Sequence, residues 1–212
     1  MKSSSKNKVT LSLLVKNMNA IVENTLHNKI KTHTGAEHER LRNLMISLKL
    51  FENLKRYKNF TLAQYYFHNE IKNLYILHNI NGIVPGIKCC QRLDALRRDM
   101  EDLLIVPKEN ESGDILSLNK YETLGWLYVS EGSTLGAAIL LKGAKDGYSL
   151  SESFGARNLA EYPEGRLTYW GNFVDKLNAL DVSEEEEKFI IDGAFSAFKY
   201  FGVMLENLDD LH

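Results

Sequence analysis

Proline is scarce. Pro85, Pro107 and Pro163 are the only three in 212 residues. With so few residues that remove a backbone donor and lock φ, long helices are permitted over most of the chain. The two cysteines, Cys89 and Cys90, are adjacent, a spacing that suits neither an ordinary disulfide nor a zinc site, so nothing points to an oxidising compartment. Neither sign of charge dominates: 26 Lys plus Arg stand against 28 Asp plus Glu, a formal net charge of -2. A chain that lives by neutralising nucleic-acid phosphates carries a basic excess, so no nucleic-acid partner is expected. No apolar run reaches membrane-spanning length. The most apolar stretch, Leu124 to Leu141, is interrupted by Ser130, Glu131, Gly132, Ser133, Thr134 and Gly136. Met1 to Lys8 is polar and Val9 to Val15 is too short for a secretory core. The expectation is a cytoplasmic protein without a membrane partner. No alternating apolar run sits beside a hairpin dipeptide, and there is no G-x-G-x-x-G, no H-E-x-x-H and no pair of Glu-x-x-His. Sheets, a bound dinucleotide and a di-iron centre are thereby disfavoured.

What is present reads as helix. The chain is long enough to bury its own core as one domain. Six amphipathic segments follow from apolar period and punctuation: about Val22–Leu50, Asn59–His78, Lys88–Ile105, Asn119–Ala144, Leu167–Leu180 and a last one opening after Ser183. Ser183 with Glu186 three residues on is a capping box, and four Glu residues sit at the positive end of that dipole. The fold class is all-α, with residues 1–20 as a flexible extension and residues 21–212 as a single domain. Charge is uneven: residues 1–49 carry nine Lys/Arg against three Asp/Glu, and residues 181–212 carry nine Asp/Glu against two Lys. Either these are solvated helix faces, or the basic one steers an acidic partner.

Three features carry candidate chemistry. Six histidines are present. Taken alone, His38 on the first helix reads as an ordinary surface or hydrogen-bonded histidine, although neutral imidazole is also an axial haem ligand. Gly132 and Gly136 lie four apart in an otherwise apolar helix, where each Gly costs about 1 kcal/mol relative to Ala. Either two helices approach closely there, or a flat ligand lies against the backbone. Gln64 and His68, one turn apart among Phe60, Phe67, Ile71 and Leu74, are either partly solvated or a buried network that orders water in a pocket.

The run Gly125–Ala138 (GWLYVSEGSTLGAA), with Thr34-Gly-Ala-Glu-His38 before it and Gly155-Ala-Arg157 and Tyr162-Pro-Glu-Gly-Arg166 after it, resembles the bacterial haem oxygenases. The resemblance covers roughly Leu26 to Leu208. It implies a compact helical fold holding haem between a proximal helix and a glycine-kinked distal helix. By the same resemblance His38 matches the iron ligand, and Lys31 and Tyr128 match residues that meet the propionates. Gly132, Gly136, Ser133 and Thr134 match the distal helix, where relatives often carry Asn in place of Thr134. Gln64 and His68 match a distal water network. Arg42 stands where some relatives place an acid to receive the imidazole N–H, with Glu37 and Glu39 beside His38 instead. Lys142 and Arg157 are competitors for a propionate.

The implied activity is cleavage of bound haem, with O2 and electrons, to biliverdin (the IXα isomer, if Lys31 and Tyr128 seat the ring), CO and Fe2+, for iron acquisition. Since the chain carries no flavin or dinucleotide fingerprint, electrons come from a ferredoxin, a flavodoxin or a reductase, docked on the basic first helix. The alternatives are a non-catalytic haem-binding or haem-transfer protein, a thiaminase-like enzyme using Cys89 or Cys90, and a helical interaction module.

Overall fold

A computed structural model describes residues 24–87, 90–108 and 114–211. The expected extension over residues 1–20, Cys89 and His212 lie outside the described residues. Among the described residues eight α-helices follow one another: α1 Leu26–Ser47, α2 Leu54–Leu77, α3 Ile80–Ile83, α4 Cys90–Asp102, α5 Lys120–Gly132, α6 Ala137–Tyr148, α7 Arg166–Asn178 and α8 Glu184–Glu206. Among the described residues the extended pairing is limited to bridges from Ser151 to Phe154 and Gly155. Among the described residues no single helix is long and apolar enough to cross a membrane.

Polar caps set where the helices begin. Thr25 accepts from the Asn28 N–H and Asn53 from the Lys55 N–H. Asn119 with Glu122 and Ser183 with Glu186 form reciprocal capping boxes, each worth about 1 kcal/mol. The second is the one expected from sequence. It also accepts the Tyr121 hydroxyl from α5, and that bond, then the Ser183 backbone N–H, holds the Glu186 carboxyl below the ordinary carboxylate range.

Helices α5 and α8 form the central pair. Trp126 donates its indole N–H to Ser196 at 2.8 Å, and Trp126 packs on Phe67 and Tyr200 in the main core. A Cβ added to Gly125 would stand 2.2 Å from the Ile190 carbonyl oxygen, and one added to Gly193 would stand 2.2 Å from that of Glu122. Backbone touches backbone there, so the close-packing reading given above to Gly132 and Gly136 belongs to Gly125 and Gly193.

The segment expected as one helix over Asn119–Ala144 is two. A turn of 3-10 helix at Ser133–Leu135 separates α5 from α6, and the axis bends by 50°. Competition for helix acceptors accounts for the break. Arg92 of α4 donates to the Ser130 carbonyl at 3.0 Å and Ser133 donates to it at 2.6 Å, while Arg166 donates to the Thr134 carbonyl at 3.0 Å. These are the oxygens a continuous helix would offer to residues 134 and 138.

Charge asymmetry also has an internal use. Helices α1 and α8 pack together, and Lys29–Glu187 and Arg40–Glu206 join them, each at 2.5 Å. Part of the basic face expected to steer an electron donor therefore faces the acidic helix of the same chain.

The Gly155–Asn158 loop is pinned to α4. Asp99, fully buried, accepts from the Arg157 and Asn158 backbone N–H groups at 2.8 and 2.9 Å, and Asp102 accepts from Gly155 at 2.8 Å. The Arg157 guanidinium pairs with both carboxylates, which removes it as a competitor for a propionate.

Gly125→Ala is expected to lower stability by about 1–3 kcal/mol through overpacking. Gly136→Ala, whose Cβ would meet nothing nearer than 3.8 Å, should stay within about 0.5 kcal/mol of the parent. Urea midpoints of the two variants test the division.

Candidate functional site

His38 projects from the exposed face of α1, its ring edge-on to Phe198 of α8 at 5.8 Å between centroids. Neighbouring carboxylates are already engaged: Arg42 binds Glu39 through two nitrogens at 2.9 and 2.6 Å, and Arg40 binds Glu37 at 2.8 Å. The acidic residues beside His38 are therefore committed to arginines on their own helix. One turn before His38, Thr34 is buried and donates to the Ile30 carbonyl at 2.8 Å. Lys31, two turns before His38, is exposed.

The bend between α5 and α6 presents a bare surface. Gly136 and Ser133 are exposed and Gly132 is half-buried. Both glycines have ordinary helical angles, φ -63° and -76°, so the missing side chain, not backbone freedom, is what distinguishes them. A Cβ on Gly132 would touch the Trp170 ring at 3.3 Å, whereas one on Gly136 would have space around it. The hydroxyl of Thr134 is buried without a partner.

Behind this surface runs a buried polar chain. Gln64 and His68 are both buried on α2. His68 Nδ1 lies 3.4 Å from the Ser130 hydroxyl, and Arg92 reaches the Ser133 hydroxyl at 2.6 Å. Burial, then the Arg92 charge, drives the His68 pKa well below its ordinary value, so this ring is neutral. Arg92, which the sequence did not single out, bonds both the Ser130 carbonyl and the Ser133 hydroxyl, while Gln64 lies one turn before His68 on α2. Glu131 points the other way, accepting from the Tyr169 hydroxyl at 2.8 Å. Burial raises its pKa, a shift that the Tyr169 bond opposes. Tyr169 stacks on Tyr162 at 3.8 Å.

One turn before Gly132 on α5, Tyr128 is buried and its hydroxyl lies 3.0 Å from Nδ1 of His27. Burial pushes the phenol up to about 12. Trp170 of α7 packs on both rings, at 5.2 Å from Tyr128 and 5.9 Å from His27. Neither His27 nor Trp170 was expected at the site. Lys142 is exposed on α6, its ammonium paired with Asp146 at 2.6 Å, and is not joined to Tyr128 or Lys31 by any bond.

The residues suit a planar, two-faced ligand with an acidic edge. The exposed imidazole of His38 stands on α1, a glycine-bared bend lies on the other element, and a lysine and a buried phenol mark one end. Among the described residues no three His, Cys, Asp or Glu side chains cluster as a metal site. Iron held by His38 would thus take its remaining ligands from a macrocycle. Haem meets these conditions.

His68 links pH to stability. Its pKa in the folded chain lies below the ordinary 6.5, so the unfolded chain binds the extra proton as pH falls through about 6.5 and below. Stability should fall over that window by at most about 1.4 kcal/mol per pH unit from this group. His68→Gln should flatten the dependence in urea melts between pH 7 and pH 5.

Comparison with known proteins agrees with this geometry. The heme oxygenase family model matches residues 24–207. Heme oxygenase PigA of Pseudomonas aeruginosa is 39% identical over 185 residues, covering 87% of this chain and 93% of that protein. The NO- and CO-bound heme oxygenase of Neisseria meningitidis superposes with a TM-score of 0.79 at 33% identity, covering 89% of this chain and 94% of the other. Heme oxygenase from Leptospira interrogans shares the fold at 19% identity, with a TM-score of 0.73 over 86% of this chain and 99% of that one. The family match over residues 24–207 and the 39% identity across 87% of the chain place it: it belongs to the haem oxygenase family.

Proposed function

We propose that this haem-degrading enzyme opens haem at its α-meso edge, yielding biliverdin IXα, CO and Fe2+, and that it serves iron acquisition in the cytoplasm. In this reading His38 would hold the iron, and Lys31 and Tyr128 would hold the propionates. Gly132 and Gly136 present bare backbone to the other face. Bound haem supplies both the oxygen-binding iron and the ring that is cut.

One observation carries the reading: the bend itself, Gly132 to Gly136, carries no acidic side chain. Glu131, the carboxylate nearest in sequence, is turned to Tyr169 and buried. A proton therefore reaches this face through hydroxyls and water. The Ser133 hydroxyl is fixed in direction, because it accepts from Arg92 and donates to the Ser130 carbonyl. That leaves a lone pair to order water. Neutral His68 steadies Ser130 from behind, and Gln64 extends the polar surface one turn along α2. An imidazole ligand pushes less electron density to iron than a thiolate does, which disfavours early O–O cleavage.

Electrons come from a separate reductase, which we take to act through a ferredoxin- or flavodoxin-type donor. A haem carrier would share His38 but has no use for a distal face kept clear of acids.

Mixing the protein with haemin and an electron donor in air should give Soret decay and growth of a bilin band. A stable Soret band would favour the carrier. His38→Ala is expected to weaken the haem complex and reduce turnover at least about tenfold, a loss of about 1.4 kcal/mol or more in transition-state stabilisation. An unchanged Soret spectrum and rate would overturn the ligand assignment. Replacing Gly136 by Leu should leave the fold intact and cut bilin yield, because the side chain would fill the space above the ring. Chromatography of the bilin reads the isomer, and Tyr128→Phe should increase the share of isomers other than IXα.

A further inference from the structure

His27 has no role in the reaction as described, yet it is in direct contact with the site. It sits on α1 one turn before Lys31, half-buried, with Nδ1 3.0 Å from the Tyr128 hydroxyl. Trp170 covers its edge, and its backbone N–H is fixed by the Asn178 side chain at 3.0 Å. The ring is thus held from three elements, α1, α5 and α7. We propose that His27 is a positioning residue that sets the direction of the Tyr128 O–H toward a carboxylate of the porphyrin. This rests on the reading of Tyr128 as a propionate contact.

The chemistry follows from what a phenol can do. If Nδ1 is a bare acceptor, Tyr128 donates its proton to His27 and turns only lone pairs toward an arriving carboxylate. If Nδ1 carries a proton, it donates to the phenol oxygen, and the O–H is released to donate to the carboxylate. A chain of Nδ1–H to phenol oxygen, and phenol O–H to carboxylate, is the arrangement a propionate favours. The imidazolium satisfies it while adding positive charge beside the Lys31 ammonium.

Without ligand the ring gives up its proton more readily than an ordinary histidine. Burial first, and the Lys31 charge second, lower the His27 pKa from its ordinary 6.5. The other groups packed against it do not offset this. Tyr128 on α5 is an un-ionised phenol, Trp170 and Asn178 on α7 are uncharged, and Glu187 of α8 is engaged by Lys29. A bound carboxylate reverses the balance, so binding takes up a proton at His27. Affinity then rises as pH falls from the pKa of the bound state toward that of the free state.

Metal-free protoporphyrin IX is the probe, because its binding does not depend on the protonation of His38. Fluorescence titrations at pH 6 and pH 8 would compare the wild type, His27→Gln, Tyr128→Phe and the double variant. The wild type should bind more tightly at pH 6, by up to about tenfold for each unit of pKa difference between free and bound states. His27→Gln, which keeps an amide donor but cannot titrate, should lose most of that difference. Adding it to Tyr128→Phe should change nothing further. A second readout needs no variant. The NMR titration midpoint of the His27 ring should rise on adding protoporphyrin IX and stay put with its dimethyl ester. An unchanged midpoint, or a His27→Gln slope equal to that of wild type while Tyr128→Phe weakens binding, would overturn the proposal alone. Tyr128→Phe with unaltered affinity would instead overturn the propionate reading beneath it.

Discussion

At the bend between α5 and α6, two carbonyl oxygens leave the helical ladder and arginines take them. Arg92 comes from α4 and Arg166 from the start of α7, so the break ties four helices together. A buried carbonyl without a donor costs roughly 1–3 kcal/mol, and a charged donor returns more than a neutral one. The bend is therefore a satisfied arrangement and not a frayed helix. Through the same contact Arg92 orients Ser133, and its charge adds to the burial that already lowers the pKa of His68. Geometry at the bend therefore leans on one buried guanidinium.

Glycine does two separate kinds of work along this one element. Gly125 lets α5 touch α8 backbone to backbone, against Gly193 and its neighbours, and nothing larger fits. Seven and eleven residues on, Gly132 and Gly136 leave surface uncovered. A packing glycine and a site glycine are alike in sequence, since both interrupt an apolar helical run. They separate only when the partner is known. At Gly125 the partner is a helix of the same chain, and at Gly136 the space is open.

Much of the architecture was legible because it rests on local chemistry. The Ser183–Glu186 capping box, the scarcity of proline and the apolar period place five of the long helices within a few residues. The sixth segment was read as continuous because its composition is helical throughout. What breaks it are side chains 38 and 32 residues away in sequence. Arg92 carries no local mark that sets it apart from Arg97 and Arg98, which lie one turn and more further along the same helix. His27 was passed over for a similar reason. On an unassembled helix it is one histidine of six, and only the approach of Tyr128 and Trp170 makes it part of the site. His38 could be singled out because the pattern around it resembles a family, while geometry adds that its ring is exposed and its flanking acids are engaged.

Those engaged acids bear on how the proximal side is tuned. Ion pairs as exposed as Lys29–Glu187 and Arg40–Glu206 each contribute only about 0–1 kcal/mol, so they add little to the total stability. Their effect is on orientation. They fasten α1 to α8 near Lys29 and near Arg40, on either side of the segment that carries Lys31 and His38, and fix how that segment turns. Helical pairs Glu37–Arg40 and Glu39–Arg42 then occupy the carboxylates that would otherwise compete for the imidazole N–H. An imidazole without an anionic acceptor is a weaker electron donor than one bonded to a carboxylate. Arg42 thus keeps the Glu39 carboxylate occupied on its own helix. The same cationic residues that make the first helix look like a docking surface also hold it in register against α8 and engage the acids that flank His38.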